Sequence, residues 1–147
     1  MNLRPILLVE DNPADVELTL AALKRSEIAN EIVLARDGVQ ALDYIFCEGE
    51  YAGREPEPPA VVLLDLKLPK INGLEVLERV KAHPEHRNIP MVMLTSSREE
   101  SDVVRSYSVG VNSFVVKPVE FNAFFEAIRH LGTVWAVLNE PFPAKRP

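Results

Sequence analysis

Short runs rich in β-branched residues and leucine punctuate the chain: ILLV at residues 6–9, EIVLA at 31–35, VVLL at 61–64, PMVML at 90–94 and SFVV at 113–116. The third run, Val61 to Leu64, is continuous in hydrophobicity, the pattern of a strand covered on both faces. Between these runs lie longer segments whose apolar residues recur every three or four positions, as on one face of a helix. After the first run, Asp11 or Asn12 can cap a helix with Pro13 at its first position and Val16, Leu20 and Leu23 on its stripe. Asp37-Gly38 opens a second helix carrying Val39, Leu42, Ile45 and Phe46. Asn72-Gly73 opens a third, with Leu74, Val76, Leu77 and Val80, that stops near His83-Pro84. Ser96 or Ser97 caps a fourth, with Val103, Val104 and Tyr107 on its stripe and Gly110 at its end. The last helix starts near Glu120 and carries Phe121, Phe124, Phe125, Ile128, Leu131, Val134, Trp135 and Leu138, a face broader than one core stripe requires. Residues 49–59, rich in Gly, Glu and Pro, read as a surface loop.

Strand and helix therefore alternate through the chain, and right-handed crossovers make of them a doubly wound α/β sheet with helices on both faces. A (β/α) barrel is excluded, because it needs roughly 200 residues or more and the chain has 147. One domain is expected over residues 1–139, with 140–147 as a flexible tail. The formal charge of −6 offers nothing to nucleic acid or to an anionic membrane. Cys47 is the single cysteine, so no internal disulfide and no cysteine zinc site is possible, and the cytoplasm is the expected compartment. No amino-terminal apolar stretch is long enough for a signal peptide or a membrane span.

The chemistry collects at the carboxyl ends of the runs. Glu10-Asp11 follows the first, Asp65 the third, Thr95-Ser96 the fourth and Lys117-Pro118 the fifth. In one parallel sheet these ends share an edge, where open α/β sheets hold ligands. Three acids held together repel one another and call for a cation, while a hydroxyl and an ammonium opposite them suit a phosphoryl group. Taken singly the residues are weak evidence: Asp11 serves as readily as a helix cap, Thr95 as a strand residue, Lys117 as a surface charge. Their joint occurrence, in this order, is hard to obtain by chance. No G-x-G-x-x-G follows the first run and no G-x-x-x-x-G-K-[ST] occurs, so dinucleotide and P-loop cradles are missing. A flavodoxin-type flavin site fits poorly, since Glu10 and Asp11 would repel the flavin phosphate.

On LLVEDNPAD, VVLLDLKLPKINGLEVL, VMLTSS and FVVKP, the chain resembles the receiver domain of two-component response regulators from about Pro5 to Leu138. The resemblance implies a flavodoxin-like (βα)5 fold with sheet order 2-1-3-4-5. It implies that Asp65 accepts a phosphoryl group, with Mg²⁺ bound by Asp11, Asp65 and the backbone carbonyl of Lys67 and supported by Glu10. Thr95 and Lys117 would hold phosphoryl oxygens, and Lys117-Pro118 is a candidate cis bond that would aim the ammonium inward. The same resemblance implies a switch in which Thr95 moves towards the phosphoryl group and the aromatic ring of Phe114 turns into the vacated space. Lys67 and Ser97 occupy positions that tune dephosphorylation in this family. The segment HPEHRNIPMVMLTSS, the long connection after the second helix and the aromatic last helix look like stand-alone regulators that partner bacteriophytochrome-type histidine kinases. Members of that group often dimerise, and Phe125, Val134, Trp135 and Leu138 would supply the patch. No effector module is expected after the last helix, so output would be by protein contact. The alternatives are an Mg²⁺-dependent phosphatase or a Toprim-like hydrolase; the latter needs a second acid near Asp65, where this chain has Asp65-Leu66-Lys67.

Overall fold

A computed structural model describes residues 3–25, 28–105 and 113–131, with side chains 128, 130 and 131 left aside. The elements run β1 (Ile6–Val9), α1 (Pro13–Arg25), β2 (Ile32–Ala35), α2 (Gly38–Phe46), a short 3₁₀ turn (Gly49–Tyr51), β3 (Val61–Asp65), α3 (Gly73–Ala82), β4 (Met91–Thr95), α4 (Arg98–Arg105), β5 (Phe114–Val116) and α5 (Phe121–Leu131). The strands pair in parallel in the order β2-β1-β3-β4-β5. The fold is the doubly wound one expected, with strand limits shifted by a residue where the apolar run gives way to polar ends.

Alternation along each strand builds two cores. Ile6 and Leu8, Val61 and Leu63, and Val92 and Leu94 join Leu23 of α1 and Phe124 of α5 on one face. Leu7 and Val9, Val62 and Leu64, and Met91 and Met93 join Leu42 and Ile45 of α2 and Val76, Leu77 and Val80 of α3 on the other. Because successive side chains point to opposite faces, both faces can be covered only if the strand is apolar throughout. Burying each such side chain contributes about 1.5–3 kcal/mol before the entropy cost of ordering it. The helix faces are less uniform than the sequence pattern suggested: Val39 and Val103 are exposed, at 36% and 57%. Tyr107, Gly110, Val134, Trp135, Leu138 and the tail lie outside the described residues.

Polar side chains fix where the helices begin. Asp37 accepts the Gln40 N–H, Asn72 accepts the Glu75 N–H and Ser97 accepts the Glu100 N–H, each capping its helix from a non-helical position. Asn12, not Asp11, caps α1: its Oδ1 accepts the Ala14 and Asp15 N–H groups at 2.9 and 3.1 Å. Gly73 sets the start of α3 close against β3. Its N–H donates to the Leu66 carbonyl at 2.9 Å, and a Cβ there would overlap the Asp65 carbonyl oxygen and stand 2.9 Å from Leu66 Cα. Gly73→Ala is therefore expected to lower the unfolding free energy by about 1–3 kcal/mol, the usual cost of overpacking, measured as an earlier urea midpoint. An unchanged midpoint would show that the loop has room to yield.

Candidate functional site

Parallel strands end at one edge, and β1 and β3 are the neighbours from which the chain departs in opposite directions, β1 towards β2 and β3 towards β4. The divergence leaves a crevice above their carboxyl ends. The register pairs Val9 with Leu64, so Glu10 and Asp65 come next on either side of that crevice. Asp65 closes β3 and is 5% exposed, Glu10 is fully buried, and Asp11 is exposed. One carboxylate oxygen from each of the three acids lies within 4.8 Å of the others.

Lys117, beyond β5, reaches across to this group. Its ammonium lies 3.2 Å from Glu10, 3.3 Å from Asp65 and 2.9 Å from Asp15. The Lys117-Pro118 bond is cis, as expected from the sequence. Burial pushes the Glu10 carboxyl up to about 7, helped by its hydrogen bond to Asp65 and by the Asp65 charge, while the Asn12 N–H and Lys117 pull the other way. Burial acts to lower the Lys117 value, but Asp15, Asp65 and Glu10 outweigh it and hold the ammonium above its ordinary range.

Thr95 ends β4 fully buried, and its hydroxyl lies 2.8 Å from the Ser101 hydroxyl on α4. The Ser101 hydroxyl also lies 3.3 Å from the Ser97 carbonyl. The Lys67 side chain is 76% exposed, with its ammonium 3.4 Å from the Glu100 carboxylate. Phe114 is half-buried at the start of β5, with the Arg105 guanidinium carbon 4.3 Å from its ring centroid.

The fold thus brings Glu10, Asp11, Asp65 and Lys117 into one cluster, with Thr95 on the adjoining strand. Sequence reasoning overlooked Asp15, Glu100 and Ser101. Asp15 is an acid in the first turn of α1, and Ser97-Arg98-Glu99-Glu100 has the spacing of a capping box, so both were visible as patterns. The donor set suits a hard divalent cation: all oxygen, two buried acids and one open to solvent. A second group, His83, Glu85 and His86, also brings its ligand atoms within 4.8 Å. There His83 Nδ1 already accepts the Glu85 N–H at 3.2 Å, and both rings pack on Phe46, so this group closes the end of α3.

A family model described as "Response regulator receiver domain" matches residues 6–129. Response regulator Rcp1 of Synechocystis sp. (strain ATCC 27184 / PCC 6803 / Kazusa) is 40% identical over 131 residues, 88% of this chain and 87% of that protein. A solved structure of the bacteriophytochrome response regulator AtBRR is 66% identical, with a TM-score of 0.90, covering 95% of this chain and 100% of that one. The Mn²⁺-bound form of Rcp1 aligns with a TM-score of 0.71 at 37% identity over 95% of this chain and 99% of that one. The phosphorylated cyanobacterial phytochrome response regulator RcpA aligns with a TM-score of 0.73 at 38% identity over 96% and 99%.

Because Glu10 keeps its proton up to about pH 7, a cation bound beside it must displace that proton. Binding therefore weakens as the pH falls through 7. The Mg²⁺ dissociation constant measured by calorimetry is expected to rise roughly tenfold between pH 7.5 and 6, with proton release shown by a buffer-dependent enthalpy. Glu10→Gln should bind more weakly and lose most of that dependence; the same slope in both proteins would remove Glu10 from the site.

Proposed function

The chain belongs to the response regulator receiver family, and on that premise we propose that Asp65 accepts a phosphoryl group from a histidine kinase. The observation that carries this reading is the Asp65 carboxylate at the end of β3, 3.3 Å from the Lys117 ammonium and grouped with Glu10 and Asp11. An Asp65 oxygen forms the new bond to phosphorus as the bond to the donor histidine nitrogen breaks, the electron pair leaving with that nitrogen. Glu10, Asp11, Asp65 and the Lys67 carbonyl would hold a divalent cation, Mg²⁺ on this reading. When bound it neutralises charge gathering on the transferred oxygens.

The chain's own residues do the rest. With a cation shared among the acids, the Lys117 ammonium is free to pair with a phosphoryl oxygen as a point charge. The Thr95 hydroxyl exchanges its bond with the Ser101 hydroxyl for one donated to a phosphoryl oxygen. Phe114 then turns towards the space Thr95 leaves, which alters the surface of α4, β5 and α5. The receiver is not an enzyme acting on a separate substrate; it assists its own phosphorylation and dephosphorylation. Membership in the family leaves no role for the phosphatase-like and Toprim-like alternatives.

The similarity to AtBRR, a bacteriophytochrome response regulator, supports a bacteriophytochrome kinase as the donor, while the formal charge of −6 supports output by protein contact rather than nucleic-acid binding and the single cysteine supports the cytoplasm. Among the described residues no helix is long and apolar enough to cross a membrane. A homodimer through α5 and its neighbours is part of the proposal, supported by the broad apolar pattern that includes Phe121 and Phe125, whose rings pack 5.6 Å apart.

Incubation of the full chain with Mg²⁺ and a small-molecule phosphodonor should add one phosphoryl group by intact mass in the wild type and none in Asp65→Asn. No gain in folded wild-type protein would overturn the assignment. Phe114→Ala should still be phosphorylated but lose the phosphorylation-dependent change in self-association seen by sedimentation velocity. An undiminished response would reject Phe114 as the moving ring.

A further inference from the structure

The end of β4 carries a contact that the proposed phosphoryl transfer does not use. Successive residues of a strand turn their backbone groups to opposite sides. The Leu94 carbonyl accepts the Leu66 N–H at 3.1 Å on the β3 side, and the Thr95 carbonyl accepts the Lys117 N–H at 2.8 Å on the β5 side. The Ser96 N–H therefore points to the β3 side, beside Asp65. The Leu66 carbonyl, its natural partner on the next rung, is engaged by the Gly73 N–H at 2.9 Å. The donor at the mouth of the site is served instead by a carboxylate: Glu100 Oε1 accepts the Ser96 N–H at 2.7 Å.

The other Glu100 oxygen, Oε2, is 3.4 Å from the Lys67 ammonium, on the loop that follows Asp65. Glu100 sits in the first turn of α4, is largely shielded at 16% exposure, and its own N–H is tied to Ser97. An ordinary capping box would place such a glutamate on the N–H of the cap residue Ser97; here it reaches one residue further back, to the strand end. One carboxylate thus holds a backbone N–H and a lysine ammonium, the two kinds of group that an anionic phosphoryl oxygen seeks.

We infer that Glu100 is a stand-in for the phosphoryl group: its carboxylate holds the Ser96 N–H and the Lys67 ammonium until a phosphoryl group on Asp65 displaces it. This rests on Asp65 being the acceptor. Displacement follows from charge, since the incoming anion competes for the same donors and repels the carboxylate. Its consequence reaches α4, because Glu100 and the neighbouring Ser101, which is hydrogen-bonded to Thr95, are both released from the strand end in the same event. Glu100 is then a positioning residue that delays phosphorylation and couples it to the first turn of α4.

The test compares the full-length wild type, Glu100→Gln and Asp65→Asn with Mg²⁺ and phosphoramidate, following intact mass against time. Glu100→Gln keeps the reach and an acceptor oxygen but removes the charge. It should be phosphorylated about three- to fivefold faster, the effect of one partly screened charge, at an unchanged thermal midpoint. A second readout uses wild-type protein alone: the Glu100 side-chain carboxyl carbon and the Ser96 amide should shift together in NMR spectra on phosphorylation. Equal rates in wild type and Glu100→Gln, or a Glu100 carboxyl resonance that stays put on phosphorylation, would overturn the inference while leaving Asp65 as acceptor. A lower midpoint with an unchanged rate would reduce Glu100 to a helix cap. Failure of wild type and Glu100→Gln alike to gain a phosphoryl group, or gain by Asp65→Asn, would remove the acceptor assignment and this inference with it.

Discussion

Two buried carboxylates facing one another across the ends of β1 and β3 cannot both ionise without a positive charge beside them. Lys117 supplies that charge, lying within 3.3 Å of both Glu10 and Asp65. It comes from the far strand of the sheet, so the charge balance of the site depends on β5 being in register with β4. Asp15 holds the same ammonium from the side of α1, which makes the lysine a junction between the first and last parts of the chain. A divalent cation at the three acids would relieve the demand on Lys117 and free it for another anion. On the proposed function, the chemistry of the site is in this sense an exchange of positive charges around a fixed set of oxygens.

That exchange needs a rigid frame, and the sheet provides one. Its strands are covered on both faces by separate apolar cores, so their ends do not shift independently. The loops at the edge are also closely fitted: Gly73 draws the start of α3 onto the Asp65 and Leu66 backbone, with no space for a side chain. The first turn of α4 is fastened to this edge by polar contacts instead, Thr95 to Ser101 and Glu100 to Ser96 and Lys67. Polar contacts of this kind can be exchanged for bonds to a ligand at little net cost, whereas buried apolar packing cannot. On the proposed function, this division between a packed sheet and a polar-tethered helix would let a change at Asp65 be felt at the surface.

Asp11 illustrates how context assigns a residue its work. By sequence alone an acid before Asn-Pro is most readily a helix cap, yet the amide of Asn12 takes the two orphan N–H groups of α1. Pro13 occupies the first helical position, where its missing N–H is harmless. Asn12, immediately before it, is therefore the cap, and Asp11 is left outside the helix with its carboxylate near Glu10 and Asp65.

The sequence by itself determined the element order, the parallel sheet, the two covered faces and the membership of Glu10, Asp11, Asp65, Thr95 and Lys117 in one edge. These follow from local and periodic features: unbroken apolar runs, helix stripes, and polar residues at the strand ends, which parallel topology must bring together. Only the tertiary structure decided that Asp15 shares Lys117, that Thr95 pairs with Ser101, that Lys67 turns to Glu100, and that Val39 and Val103 stay exposed. Each of these depends on distances between elements far apart in the chain or on which side of a helix faces its neighbour. Periodicity states that a face exists, but packing alone settles what it meets.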